Sequence, residues 1–454
     1  MATFFSINPA TGAVIKEFNA MAQSEVNQTI THNHEIYHAW RKITLDERIK
    51  FVKKLSDLLN SKHEEYATII TIEMGKLFSE AKGEVKKCAK LCDFYAQNAN
   101  KFLSDELITT EHLKSYVSYQ PLGIVLGVMP WNFPFWQVFR YAIPALLAGN
   151  TVLLKHASNV PQCGILLENI FKEAGVEGFS NLIITSEMVS SVITNNYVKA
   201  ITLTGSNKAG EAVAQLAGSQ TKKTVLELGG SDPYIILKDA DLNLAIEKCV
   251  ESRMLNAGQS CIAAKRFIIE QSIFDDFVEG FRNKLTQYVP NDPFDDAANL
   301  APLATENIRK HLHEQVQQSI KLGAHCIIGG DNIDHSGFYY APTILTNITP
   351  NMPAYDEELF GPVASMIKVK NENEAIKVAN NNPFGLGGAI FSKDIQKAEK
   401  LAREELQSGS CFVNDYVKSD PRLPFGGINS SGYGRELSHH GILEFTNIKT
   451  VCVN

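Results

Sequence analysis

Residues 151–230 read TVLLKHASNVPQCGILLENIFKEAGVEGFSNLIITSEMVSSVITNNYVKAITLTGSNKAGEAVAQLAGSQTKKTVLELGG. Four short apolar runs punctuate this stretch: TVLLKH at 151–156, NLIIT at 181–185, KAITLTGS at 199–206 and KTVLELGG at 223–230. Helical patterns separate them, over 162–174, briefly after NLIIT, and over 208–217. Parallel strands need crossovers that helices supply, so this rhythm predicts a doubly wound, mostly parallel sheet.

Outward from that core the pattern changes. Upstream, YVSYQ at 116–120 and GIVLGVMP at 123–130 are β-rich and are separated by Pro121, Leu122 and Gly123. The first hundred residues read as helices. Leu45, Ile49, Val52, Leu55 and Leu59 recur at helical spacing, Ser24 and Asp46 sit at first-turn positions, and a second helix is predicted over 79–99. Downstream, another alternating α/β region runs from Pro233 to about Asn414. The tail, GILEFTNIKTVCVN at 441–454, alternates like a strand with no partner nearby in sequence. An unpaired edge is a liability, so the tail is expected to pair with residues 116–120 or with another subunit.

At 454 residues the chain exceeds what one core usually supports. A net charge of −7 argues against nucleic acid as a partner, since phosphate binding needs a basic face. No apolar run approaches the ~20 residues of a membrane span, and the N-terminus lacks the pattern of a secretory signal. Eight scattered cysteines do not form a disulfide framework. A cytoplasmic location is expected, with thiols left free for chemistry.

Several stretches carry possible chemistry. Gly205 and Gly210 bracket a strand-to-helix turn, where bare N–H groups suit a pyrophosphate; a plain turn is the alternative. Lys155 closes a strand at the end where ligands bind in open sheets, or else is merely solvated. NAGQSC at 256–261 puts Cys261 after a Gly-Gln loop, LELGGSDP at 226–233 puts Glu227 before two glycines, and MPWNFP at 129–134 holds Asn132 between prolines. Taken singly, these read as a buried thiol, a strand-end carboxylate and a turn asparagine. HEIYH at 34–38 matches a zinc-peptidase pattern, but no third ligand follows and it reads as surface helix. Cys88 and Cys92, one helical turn apart, read as packed thiols.

Together with INPATG at 7–12, EELFGPV at 357–363, PFGLGGAIF at 383–391 and PFGGINSSGYGRE at 424–436, these motifs resemble the aldehyde dehydrogenase family nearly end to end. The resemblance implies an α/β chain with a Rossmann-type doubly wound cofactor domain (1–107 and 123–228), an α/β catalytic domain (229–424) and a small β oligomerisation element (108–122 and 425–454), assembled as a homodimer or homotetramer. It also implies oxidation of an aldehyde by NAD or NADP. Cys261 attacks as thiolate, the Asn132 amide and the Cys261 N–H hold the oxyanion, and Glu227 activates water against the thioester. Trp131, Lys155, Ser158, Gly205, Ser206, Glu358 and Phe360 resemble the dinucleotide-binding set; no metal is implied. Glu227 favours hydrolysis over transfer to coenzyme A or phosphate. The intact trio argues against a catalytically silent member.

WNFPFWQVFR, LKHASNVP and KSDPRLPFGG are most similar to the short bacterial enzymes that oxidise succinate semialdehyde to succinate. There Arg140 and Ser419 bind the substrate carboxylate, a bidentate task suited to guanidinium; an internal salt bridge is the alternative for Arg140. Some enzymes for this substrate carry a further arginine where this chain has Leu255, and Arg253 stands two residues away. Glutarate semialdehyde, one methylene longer, and general aliphatic aldehydes remain open as substrates. Ser158 replaces the glutamate that repels a 2′-phosphate in NAD-preferring relatives, so NADP is expected to be admitted.

Overall fold

The computed structural model of the chain describes residues 2–333 and 335–454. Its six-stranded sheet has the order Gly432–Tyr433, Lys223–Glu227, Val198–Thr204, Ile124–Met129, Thr151–His156, Phe179–Asn181. All neighbours are parallel except Gly432–Tyr433, which runs antiparallel to Lys223–Glu227. From Ile124–Met129 the chain steps outward to Phe179–Asn181, then crosses back to Val198–Thr204 on the other side. The strand order therefore reverses between Ile124–Met129 and Val198–Thr204, opening a crevice at their carboxyl ends. Crossover helices Pro161–Glu173 and Asn207–Ser219 lie where the spacing predicts them.

The predicted strand NLIIT is displaced: its ladder covers Phe179–Asn181, opposite Val152, Leu153 and Leu154. The partner strand runs on to His156, so the ladder ends because the chain leaves it: after Leu182 N–H donates to Leu154 O, Ile183 O accepts from Met21 N–H.

A second sheet has the order His325–Ile328, Thr343–Thr346, Val363–Val369, Arg266–Glu270, Pro233–Ile236, Gly387–Phe391, Ser410–Val413. Only His325–Ile328 is antiparallel to its neighbour. This sheet has its own apolar core, with Tyr234, Phe267 and Phe391 buried in it.

Helices Gln23–Trp40, Leu45–Ser61, His63–Met74 and Phe78–Phe102 account for most of the first hundred residues. Thr44 caps the second, with Glu47 reaching back to the Thr44 N–H, and Ile49, Val52, Leu55 and Leu59 are buried. The helical reading fails before residue 20, where Thr3–Ile7 and Val14–Asn19 form an antiparallel hairpin. The turn chemistry of NPATG explains it: Asn8 O accepts from both Thr11 and Gly12, and Gly12 takes φ +73°.

The tail also departs from the expectation of one long strand. Ser438–Glu444 is helical, and only Thr446–Val453 is a strand. It pairs antiparallel with Lys114–Pro121, which carries Glu106–Ile108 on its other edge. Phe425, Leu437, Ile442 and Phe445 are buried in the core that the six-stranded sheet shares with the N-terminal helices. A large apolar side chain goes where a core exists, and a three-stranded ribbon has none to offer.

Candidate active site

Helix Trp136–Leu147 is buried along its whole length. Its first N–H groups are satisfied by a carboxylate from a distant helix: Glu84 Oε1 accepts from Phe135 N at 2.8 Å and from Trp136 N at 2.9 Å. The other Glu84 oxygen is 2.5 Å from Lys76 Nζ. Arg140 lies on this helix at 3% exposure, so its charge requires a partner. Glu436 supplies it, with Oε2 2.8 Å from Arg140 Nε. The contact is a close ion pair whose angle departs from a well-aligned hydrogen bond. Arg140 also lies over the Phe425 ring, 4.7 Å from its centroid.

Asn132 sits in the turn just before this helix. Its Nδ2 donates to Gln259 O at 3.0 Å, and its Oδ1 accepts from Gln137 Nε2 at 2.8 Å. One of its two amide hydrogens therefore remains available. Asn256 Nδ2 in turn donates to Asn132 O at 2.9 Å and to Gln259 O at 3.1 Å. This buried polar cluster joins MPWNFP to NAGQSC across 124 residues.

The segment leading into Cys261 is strained. Asn256 and Ala257 have φ +55° and +52°, left-handed values that cost a non-glycine residue roughly 1–2 kcal/mol each. Glu80 Oε1 accepts from Asn256 N at 2.8 Å, and Arg253 donates to Gly258 O and Val363 O. Arg253 is wholly buried and braces this loop. Lys265 Nζ clamps the far side, donating to Ser260 O at 2.9 Å and Cys261 O at 2.7 Å. The Cys261 N–H has no acceptor among the described residues. Gly230 permits the close approach, since a Cβ there would stand 2.8 Å from Cys261 O.

Burial pushes the Cys261 thiol up to about 12, against the pull of Arg140 and Lys265. Glu227, at the end of its strand, has both oxygens buried without a hydrogen bond. Burial first, and then the Glu436 charge, hold its carboxyl well above the ordinary range; Arg140 and Arg435 oppose them. A carboxylate so placed is a stronger base than usual. A Cβ on Gly426 would meet Glu227 Oε1 at 2.6 Å, so the glycine makes room for it.

Cys261 forms part of the wall of a cavity of about 650 Å³, together with Arg140, Ser419, Trp136, Phe133 and Lys87. Ser419 Oγ accepts from Lys87 Nζ at 2.7 Å and from Trp136 Nε1 at 3.1 Å. Leu255 also lines this cavity, whereas Arg253 does not. Arg140 and Ser419 thus come together from residues 279 apart. The structure pairs Arg140 internally as well, so both readings of that residue describe part of its surroundings.

The remaining predicted residues gather at the carboxyl ends of the six-stranded sheet. Lys155 is nearly buried in Thr151–His156; desolvation lowers its ammonium, and Glu187 offsets this only in part. Ser158 is exposed in the loop that follows. Gly205 follows Val198–Thr204, and Ser206 caps helix Asn207–Ser219 by accepting from Ala209 N. Trp131 and Phe360 stand edge to face, 5.7 Å between centroids. Glu358 is held by Lys265 Nζ at 3.1 Å and by Gly230 N at 3.3 Å. A desolvated lysine with no ion pair among the described residues, on a strand of this sheet, and a helix N-terminus following Val198–Thr204 at the switch point, fit a dinucleotide carrying phosphate charge.

Four participants escaped the sequence reading. Glu436 was legible only as the last letter of PFGGINSSGYGRE. Lys87, Glu80 and Lys265 carried no signal, since each looks like any lysine or glutamate of a solvated face. His34 and His38, from HEIYH, approach to 3.2 Å on their helix, and His34 stacks on Tyr197. Cys88 and Cys92 are buried in the core.

The aldehyde dehydrogenase family pattern matches residues 2–451. A probable NADP-dependent succinate-semialdehyde dehydrogenase of Synechocystis sp. is 48% identical over 450 residues, covering 99% of each chain. The NADP-dependent succinate-semialdehyde dehydrogenase 1 of Mycobacterium tuberculosis is 44% identical over 453 residues, again with 99% of each covered. A solved structure of the succinic semialdehyde dehydrogenase of Streptococcus pyogenes, in complex with NADP, superposes at TM-score 0.97 with 39% identity and 99% coverage of both chains. With this pattern spanning nearly every residue around the Cys261 cavity and the dinucleotide crevice, the chain belongs to the aldehyde dehydrogenase family.

Proposed function

We propose that this chain oxidises succinate semialdehyde to succinate with NADP, and that Cys261, Glu227 and Asn132 carry the chemistry. The observation that supports it most is the single cavity in which Cys261 meets Arg140 and Ser419. The relatives named for this substrate and cofactor support the same reading.

The Cys261 thiolate attacks the aldehyde carbon, forming a C–S bond. The oxygen becomes an oxyanion held by the free Asn132 amide hydrogen and the Cys261 N–H. NADP, when bound, would supply the acceptor for the hydride lost from the Cys261-bound carbon, whose C=O would re-form as the thioester. Glu227 then takes a proton from water, whose oxygen attacks the thioester carbon. The C–S bond breaks, Cys261 leaves as thiolate, and succinate is released. Lys155, Ser158, Gly205 and Ser206 hold the adenosine phosphates and ribose. Trp131, Glu358 and Phe360 border the nicotinamide end.

Residues 1–107 with 123–228 form the cofactor domain and 229–424 the catalytic domain. Residues 108–122 and the strand Thr446–Val453 extend a neighbouring subunit's sheet in a homodimer or homotetramer. That last assignment is supported by Leu107, Leu113 and Ile448, which are 73%, 83% and 62% exposed. Among the described residues, no helix is long and apolar enough to cross a membrane.

The test compares initial rates for succinate semialdehyde and butanal, each with NADP and NAD. A preference of about 100-fold or more in kcat/KM for the acid-bearing aldehyde is expected, because a site built for a charge rejects its neutral analogue. Equal rates would reduce the chain to a general aldehyde dehydrogenase.

A further inference from the structure

Resting on that reading, we propose that Lys87 is the principal charge that binds the substrate carboxylate, with Ser419 beside it and Arg140 in a secondary role. Of the six cations that line the cavity, Lys86 and Lys90 are exposed and Lys76 and Lys418 are paired with Glu84 and Asp415; the remaining two, Arg140 and Lys87, differ in what already neutralises them. Arg140 faces Glu436 at 2.8 Å, so an incoming anion meets a charge already balanced. Lys87 has no ion pair among the described residues. The acidic groups that act on it are engaged elsewhere: Glu84 is held by Lys76, and Asp420 by Arg422 at 2.7 Å.

Lys87 is also positioned for this task. It lies on helix Phe78–Phe102, and its Nζ is 2.7 Å from Ser419 Oγ and 4.3 Å from the Trp136 ring centroid. Burial lowers its ammonium to about 8, so it remains largely charged at neutral pH. A desolvated ammonium with a single neutral acceptor has two hydrogens to give, and a carboxylate would satisfy both. Lys86 and Lys90, exposed on the same helix, line the cavity and favour entry of an anion. Cys261 and this ammonium share one cavity, as a short chain with an aldehyde at one end and a carboxylate at the other requires.

The experiment measures kcat/KM for succinate semialdehyde and butanal in wild type, Lys87→Met, Lys87→Gln and Arg140→Met. Lys87→Gln removes the charge and keeps an N–H donor for Ser419 on a side chain one atom shorter. In both Lys87 variants kcat/KM for succinate semialdehyde should fall about 10–100-fold, carried mainly by KM, while butanal stays within about two-fold. Arg140→Met should slow both aldehydes alike, because it strips Glu436 of its partner beside Glu227. Butanal turnover monitors folding in each variant. A Lys87 variant that keeps the wild-type preference for succinate semialdehyde overturns the assignment and leaves the proposed activity standing. Loss of the preference in Arg140→Met alone overturns it in favour of Arg140. A wild type without preference removes both the assignment and the activity on which it rests.

Discussion

At the carboxyl ends of the six-stranded sheet, Lys155, Gly205 and Glu227 each stand at or just beyond the end of a strand. The cavity beside Cys261 is assembled differently. Its walls come from helix Phe78–Phe102, helix Trp136–Leu147, the loop after Leu255 and residues 416–425. In the first region one sheet places Lys155, Gly205 and Glu227, so strand register sets their relative positions, and Glu358 and Phe360 come from a loop outside that sheet. In the second, the groups come from several separate elements, and buried side-chain hydrogen bonds fix how those elements meet. Glu84 on the Trp136 helix, Glu80 on Asn256 and Asn132 on Gln259 are those bonds. Chemistry that must meet a substrate at both ends needs walls from several directions, which a single sheet edge cannot supply.

Glu227 is where the two regions touch, and changing it should have the largest effect. Glu227→Gln keeps the shape and removes the base, so steady-state turnover should fall about 10²–10⁴-fold. A rapid burst of NADPH of about one equivalent per site should persist, because attack and oxidation precede hydrolysis. A variant lacking the burst would show that Glu227 also serves the step at Cys261.

A smaller effect separates the resting cavity from the loaded one. With burial holding the Cys261 thiol up to about 12, the thiolate fraction rises about tenfold per pH unit below that value. Iodoacetamide labelling of Cys261, followed on its own peptide, should therefore accelerate from about pH 7 to about pH 10 without a plateau. A plateau near neutral pH would mean that Arg140 and Lys265 outweigh burial in the free enzyme. Exposed Cys326 and Cys452 provide the comparison within the same sample.

The least disruptive change is confined to the dinucleotide edge. Ser158→Glu should lower kcat/KM with NADP relative to NAD by about 10–100-fold, since a carboxylate there would face the 2′-phosphate. Turnover at saturating NAD should stay near wild type, because Ser158 lies in an exposed loop outside the Cys261 cavity. An unchanged cofactor ratio would place the discrimination on Lys155 or elsewhere.

The alternation over 151–230 was sufficient to read the doubly wound sheet, because a parallel sheet buries whole strands and leaves apolar runs that periodicity detects. Cys261, Glu227 and Asn132 were singled out differently, by motifs that resemble the aldehyde dehydrogenase family, since taken singly they read as a buried thiol, a strand-end carboxylate and a turn asparagine. Where local chemistry competed with periodicity the reading slipped. NPATG turned the first residues into a hairpin, and the end of the tail strand was set by its partner at Lys114–Pro121.

What the sequence determined by itself, then, is the layered α/β arrangement, which leaves a periodic pattern in the chain, and, through the order of its motifs, the family. Only the tertiary structure decided which charges are free. Arg140, conspicuous in its motif, is matched by Glu436 from 296 residues away, while Lys87, with no motif of its own, lines the cavity with no ion pair among the described residues. The reason is physical: the strength of a buried charge depends on what surrounds it, and those neighbours come from parts of the chain that only folding brings together.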